Sequence, residues 1–429
     1  MRGSIATDVA ELVKAGIIPE ETGDKIREYF GNRNSQAPNR LFIVFGILGA
    51  LLTGLGLILI IAHNWDEFTI RTKSFFAFLP LIAGQIFCVF SLTKKHENIT
   101  WKESGAAFLF FSIGASISLV SQIYNIPGNV SAFLLTWMLL AFPLLYVLKS
   151  SMASLLYLIG ITYYAAEAGY WTYPSSETYF YWVLLLLALP RYYLLYKKDS
   201  VSNFMIFHNW IVPLSITIAL GTVASTTEEF MFVSYISLFG LFFLIGNTTF
   251  FKHQKLRNNG YFIIGSLGTL ILLLILSFDW FWRNLRSEDF RINEVIRSPE
   301  LIAAIIISLA AAALLYFKNK NRPFVNIHPF EVVFLLFIII FAIGLSSSMA
   351  AILVNFLVLS LGVLTIRKGA KHDHLGILNY GLLMITALIV CRFFDTDLSF
   401  VVRGIVFITV GIGFILLNSW MLRKRKENA

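Results

Sequence analysis

From residue 41 to residue 421 the chain alternates apolar runs with short polar joints, and each run is about 20 residues, the length at which a helix crosses a bilayer. Fourteen runs are predicted as helices: 41–63, 74–92, 104–123, 130–148, 151–169, 178–196, 204–223, 229–248, 259–278, 300–317, 328–345, 347–366, 374–393 and 398–421. The expected fold is all-α, a polytopic transmembrane helical bundle. Residues 1–40 break the pattern. They are polar and lack the short apolar core and small-residue cleavage site of a secretory signal, so the segment is expected to stay on the protein. In "ATDVAELVKAGIIPEETGDKIREYF", Val9, Leu12 and Val13 share one helical face, Gly16 stops that helix and Pro19 opens another. This predicts a short helical hairpin. Ile17, Ile18, Ile26, Tyr29 and Phe30 form an apolar face that so small a hairpin cannot bury alone. It is expected to pack on the protein's own loops, on the bilayer surface, on a protein partner, or on a second copy. The domain reading is a hairpin over 1–40, eight helices over 41–248 and six over 249–429.

Charge orients this arrangement, because Lys and Arg collect in short cytoplasmic loops. With the amino terminus inside, 26 of the 34 basic residues fall in cytoplasmic segments and eight in external ones, while the 25 acidic residues divide 12 and 13. Both termini are therefore expected in the cytoplasm. A composition of 57% hydrophobic and 14% charged residues, with a mean hydropathy of +0.73, fits a membrane protein whose partners include lipid. The net charge of +9 is dispersed over the short cytoplasmic joints and forms no basic stripe, which argues against nucleic acid as a partner. Cys88 and Cys391 lie in or beside predicted helices and build no disulfide framework.

Polar residues inside apolar runs are costly, so they face protein or water. Gln85, Asn355 and Asn379 are the neutral cases, and interhelical hydrogen bonding is their expected role. Most of the other notable polar groups converge on the external helix ends: Trp65, Asp66 and Glu67 after the first run, Gln122, Tyr124 and Asn125 after the third, Glu167 in the fifth, and Asp279 and Trp280 after the ninth. Trp and Tyr there also suit the membrane interface. The last external joint reads "CRFFDTDLSFVVRG". Its Arg392, Asp395, Asp397 and Arg403 are expected to pair as a clasp, or to leave one arginine for an anion or head group.

The sequence holds no zinc helix, phosphate loop or nucleophile elbow, and no cofactor or metal is expected. His372 and His374 in "KHDH" read as solvated loop residues. A Gly-x-x-Gly pair, an aliphatic stretch and an Asp beside Trp recur in the runs starting at Phe42 and Phe262, the pattern of a parallel internal repeat.

"LVKAGIIPEETGDKI" at 12–26, "GALLTGLGLILIIAHNWDEF" at 49–68 and "SIGASISLVSQIYNIPG" at 112–128 together resemble the bacterial predicted membrane proteins grouped as domain of unknown function 2157. The resemblance covers about the first 150 residues and implies the bacterial cytoplasmic membrane, with no defined reaction. Three classes of function stay open. One is a transporter or flippase-like protein for a small or lipid-linked substrate. A second is a non-catalytic scaffold or envelope-assembly factor. The third is an enzyme acting on lipid or glycan at the external face, with Asp66, Asp395 or Glu167 as acid or base.

Overall fold

The computed structural model describes Val9 and residues 12–26, 65–95, 98–171, 176–251, 254–287, 292–320, 328–394 and 399–415, apart from 406, 410 and 414. Among the described residues the secondary structure is helical throughout, with no strand. The chain divides into two units, Met1–Phe76 and Ala77–Ala429.

In the first unit residues 12–14 are helical, the chain turns through Gly16 at φ +69°, and residues 20–26 are helical again. That left-handed φ is open to glycine without steric penalty. Gly23 is the contact point between the two pieces, since a Cβ there would come within 2.6 Å of Val13 Cγ2. Ile17, part of the predicted sticky face, is 67% exposed. Further along, a short 3₁₀ turn, Trp65–Glu67, leads to Phe68, which stacks on Phe76 at 5.6 Å. The first predicted run, and with it nearly all of the first copy of the repeat, lies outside the described residues.

The second unit is a helical bundle. α1 (Ile70–Lys94) runs across the division and is followed by α2 (Ile99–Ile123), α3 (Val130–Ala141, continued by Pro143–Val147), α4 (Ser151–Tyr170), α5 (Phe180–Lys198), α6 (Asn203–Gly221) and α7 (Met231–Gly246). Then come α8 (Gly260–Ile275), α9 (Asp279–Ser287), α10 (Pro299–Asn319), α11 (Pro329–Gly344), α12 (Ala350–Lys371) and α13 (Leu375–Phe393). Each predicted run from 74–92 to 374–393 coincides with one of these. Among the described residues nine helices are long and apolar enough to cross a membrane, or ten if α8 and α9, bent by 73° at their junction, count as one span. Their starts are punctuated as side-chain capping requires: Asn98, Asn129, Ser150, Ser202, Asn259, Ser298, His328 and His374 each accept a backbone N–H from the turn that follows.

Between apolar helices in lipid, close packing replaces water exclusion as the source of attraction, so small residues decide which backbones meet. α7 and α8 meet at Gly246, where a Cβ would lie 2.6 Å from Phe262 N, and at Gly265, 2.6 Å from Phe243 N. α12 and α13 meet in the same way at Gly369, 2.4 Å from Leu378 N, and Gly381, 2.8 Å from Ile366 N. Two apolar clusters fill the unit, one around Met138, Tyr157, Ile161 and Leu184, the other around Trp282, Phe334, Phe337 and Val354. α7 joins them, giving Phe239 and Phe242 to the first and Phe243 and Leu244 to the second.

Candidate functional site

A pocket of about 900 Å³ opens among α1, α2 and α3. Its walls are mostly apolar, with Phe78, Ile113 and Leu140 prominent, and Gln85 and Gln122 bring two amides into the lining. Two of the hydroxyls around it are already engaged: Ser116 Oγ donates to Ala77 O at 2.7 Å and Thr136 Oγ1 to Ala132 O at 2.8 Å. The rim is the joint 124–129, shaped by Asn125 at φ +48°, by the Ser121 hydroxyl on Ile126 O (2.9 Å) and by Asn129 capping α3. Gly84 sits tight against Leu109 of α2, with 3.2 Å from its would-be Cβ to Leu109 Cα, so α1 and α2 touch there and the neighbouring Gln85 is turned into the pocket. A large apolar cleft with two neutral amides can hold an amphipathic molecule and orient its polar end.

A second concentration of polar groups lies at the helix ends that carry Lys102, Lys149 and Lys198, the basic end of the bundle. Glu103 accepts the backbone N–H of Ser151 (3.0 Å) and Met152 (2.8 Å) and the Ser150 hydroxyl, which places an anion at the amino terminus of α4. Arg191 is buried beside it, donating from Nη2 to Lys149 O at 2.5 Å and to Ser151 Oγ at 3.4 Å, while its Nε has no hydrogen-bond partner. His208, fully buried, donates from Nδ1 to Phe204 O (2.7 Å) and meets Ser154 Oγ through Nε2 (2.9 Å). Asn209 accepts the Tyr192 hydroxyl at 2.7 Å and donates to Gln254 Oε1 at 3.0 Å. α2, α4, α5 and α6 are thus fastened to one another through side chains. A third group joins α10, α11 and α12. Lys318 and Glu331 pair at 2.7 Å with 11% and 7% side-chain exposure, and Asn319 donates to the same carboxylate at 3.2 Å. His328, at the cap of α11, is pushed down to about 3 by burial and by the charges of Lys368 and Lys318.

Trp65, Asp66 and Glu67 belong to the first unit, where Lys73 Nζ lies 5.8 Å above the Trp65 ring and both carboxylates are exposed. Gln85 and Gln122 share the pocket. Tyr124 is 53% exposed at the end of α2, and Glu167 is half-buried in the last turn of α4, outside the pocket lining. Asn355 of α12 donates to Ser277 O (2.8 Å) in the joint between α8 and α9. Gln85 instead lines the pocket and Asn379 is exposed, because each lies on a face of its helix that no described neighbour covers with a polar partner. Arg392 reaches back to the junction of α8 and α9, where Nη2 meets Ser277 Oγ at 3.0 Å and the guanidinium lies 4.3 Å from the Phe278 ring centre. Arg403 donates to Phe393 O at 3.2 Å and lies over Phe400. Asp395 and Asp397, the other half of the expected clasp, lie outside the described residues. His374 caps α13, and His372 is exposed beside it.

The pocket draws its whole lining from positions 78 to 144, inside the stretch whose motifs carry the sequence resemblance. Residues 10–154 match the family described as "Predicted membrane protein (DUF2157)". No curated protein and no solved structure matches the chain. The DUF2157 stretch is about a third of the sequence and contains Glu103, whereas Arg191, His208 and Asn209 lie beyond it. The molecule is a membrane protein with several candidate spans. Sequence reasoning passed over Arg191 in "LALPRYYLL" and the pair in "MIFHNWIVP" because both sit within two or three turns of a helix end, where solvent is the default partner. An arginine after a proline and a His-Asn pair inside apolar runs were the available signals.

Proposed function

We propose that this protein is a transporter- or flippase-like component of the bacterial cytoplasmic membrane, with both termini in the cytoplasm, that takes a small or lipid-linked substrate. The observation that carries the reading is the pocket of about 900 Å³ among α1, α2 and α3, mostly apolar, with the Gln85 and Gln122 amides, a few hydroxyls and a polar rim. Its size falls within the range of ligand sites, and its polarity matches a molecule with an apolar chain and an uncharged hydrogen-bonding part. Neutral amides orient such a ligand without the desolvation penalty of a charge in hydrocarbon. The excess of basic residues on one set of helix ends supports the orientation. Native mass spectrometry of the purified protein against the Gln85→Leu/Gln122→Leu double variant tests the site. A bound amphiphile retained by the wild type and lost from the variant is expected. Equal retention by both folded proteins would remove the pocket from the function.

A scaffold or assembly role has one observation in its favour, the 67% exposure of Ile17 on the amino-terminal hairpin. Deleting residues 1–40 should leave ligand retention unchanged if the pocket carries the function. Loss of a stable partner complex with retention intact would favour the scaffold.

A further inference from the structure

The pairing of charges at the basic end is uneven. Lys318 and Lys368 share Glu331, with the Lys318 bridge at 2.7 Å. Around α4's amino terminus the balance differs. Lys102 from α2, Lys149 from the joint before α4, and Arg191 and Lys198 from α5 lie close enough that the charges of Lys198, Arg191 and Lys149 all act on Lys102. The carboxylate among them, Glu103, is held by Ser150, Ser151 N and Met152 N. Asp199 follows Lys198, and its Oδ1 accepts Val201 N–H at 3.1 Å. His208, behind Arg191, is engaged with Phe204 O and Ser154. Four cations therefore surround one carboxylate whose oxygens are already engaged in closing a helix.

The backbone is arranged to keep them together. Lys149 adopts φ +50°, a left-handed conformation that non-glycine residues rarely take, and its carbonyl is the acceptor for Arg191. Arg191 is 6% exposed, which fixes the centre of the cluster, while Lys149 and Lys198 are exposed around it. Trp101, beside Lys102, is 37% exposed and packs on Phe87 at 5.2 Å, and Tyr193, one turn before Lys197, is 53% exposed with the Lys197 ammonium 4.9 Å from its ring centre. Amphipathic rings at this level mark the boundary between hydrocarbon and water, the depth of phospholipid phosphates.

We infer that Lys102, Lys149 and Lys198, gathered around Arg191, form a binding site for the phosphate head group of an anionic phospholipid. The site is separate from the pocket among α1, α2 and α3, and it does not depend on the transport reading. The lysines donate to the phosphate from the aqueous side, and the buried guanidinium supplies a fixed positive field behind them. The head group in turn relieves the mutual repulsion of the cations, so binding should stabilise the fold.

The test uses the full chain in detergent, with thermal unfolding followed as phosphatidylglycerol, phosphatidylcholine or inorganic phosphate is added. The variant is Lys102→Gln/Lys149→Asn/Lys198→Gln, with asparagine chosen at 149 because it tolerates a left-handed φ. The control is Lys94→Gln/Lys95→Gln at the end of α1. In the wild type and the control, phosphatidylglycerol is expected to raise the unfolding temperature more than phosphatidylcholine does. The triple variant should lose that difference, with apparent affinity falling by roughly 100-fold for three removed charges near the membrane surface. Equal phosphatidylglycerol stabilisation of the variant and the wild type would overturn the inference, as would equal loss in the control. Inorganic phosphate reproducing the whole effect would overturn the lipid as ligand. If the triple variant does not fold, the single Lys198→Gln substitution, on an exposed side chain, is read by the same measurement.

Discussion

Substituting Gly265 by alanine tests whether backbone contact at glycine holds α7 to α8. The methyl carbon would lie 2.6 Å from Phe243 N, 2.7 Å from Phe239 O and 3.0 Å from Phe243 Cα. All three are backbone atoms of α7, so no side-chain rotation relieves the clash, and the helices must separate by roughly 0.8 Å to restore ordinary contact near 3.4 Å. Inserting one carbon into such a contact costs typically 1–3 kcal/mol, against which alanine returns up to about 1 kcal/mol through its higher helix propensity. The net expectation is a loss of about 1–2 kcal/mol. Gly404 provides the internal control, because nothing lies within 4 Å of its Cβ position and alanine there gains propensity without a clash. Equilibrium unfolding of the purified protein in mixed micelles, with sodium dodecyl sulfate as denaturant, reads both. Gly265→Ala should unfold earlier than the wild type, and Gly404→Ala at the same point or later. A Gly265→Ala protein as stable as the wild type would show that α7 and α8 yield freely, and the small-residue argument for this pair would be wrong.

His328 is depressed from the ordinary histidine value to about 3, so the folded protein resists a proton that the unfolded chain accepts near pH 6.5. Stability should be unaffected above pH 6.5 and fall below it by up to about 1.4 kcal/mol per pH unit, a slope that His328→Asn removes while keeping a cap for α11; equal slopes in the two proteins between pH 7.5 and 5.5 would refute this. Breaking the Lys318–Glu331 pair with Glu331→Gln should cost on the order of 3 kcal/mol, and Lys318→Met/Glu331→Met less than the two single losses combined, as measured by a double-mutant cycle in the same unfolding assay. Arg392 and Ser277 should couple by about 1 kcal/mol in a similar cycle, and strict additivity would mean that their 3.0 Å contact contributes nothing.

Much of the helical layout was legible before any coordinates, because a bilayer-length apolar run permits little else. With no water in hydrocarbon to satisfy peptide groups, runs such as 104–123 and 347–366 must close their own hydrogen bonds, and period and length name the element without a partner. The resemblance carried by "SQIYNIPG" pointed to the stretch that the DUF2157 match covers. What the sequence could not determine is which helix faces meet. Gln85 and Asn355 are both neutral amides deep in apolar runs, yet one lines a pocket and the other bonds to Ser277 O. The difference comes from where α1 and α12 lie against their neighbours, which depends on glycine contacts between residues distant in the chain. The same holds for Arg191, whose joining of Lys149, Ser151 and Glu103 requires α2, α4 and α5 to converge at one end. Hydropathy reports the local preference of each segment for lipid. Helix neighbours are set by the packing free energy of the whole bundle, which no local pattern encodes.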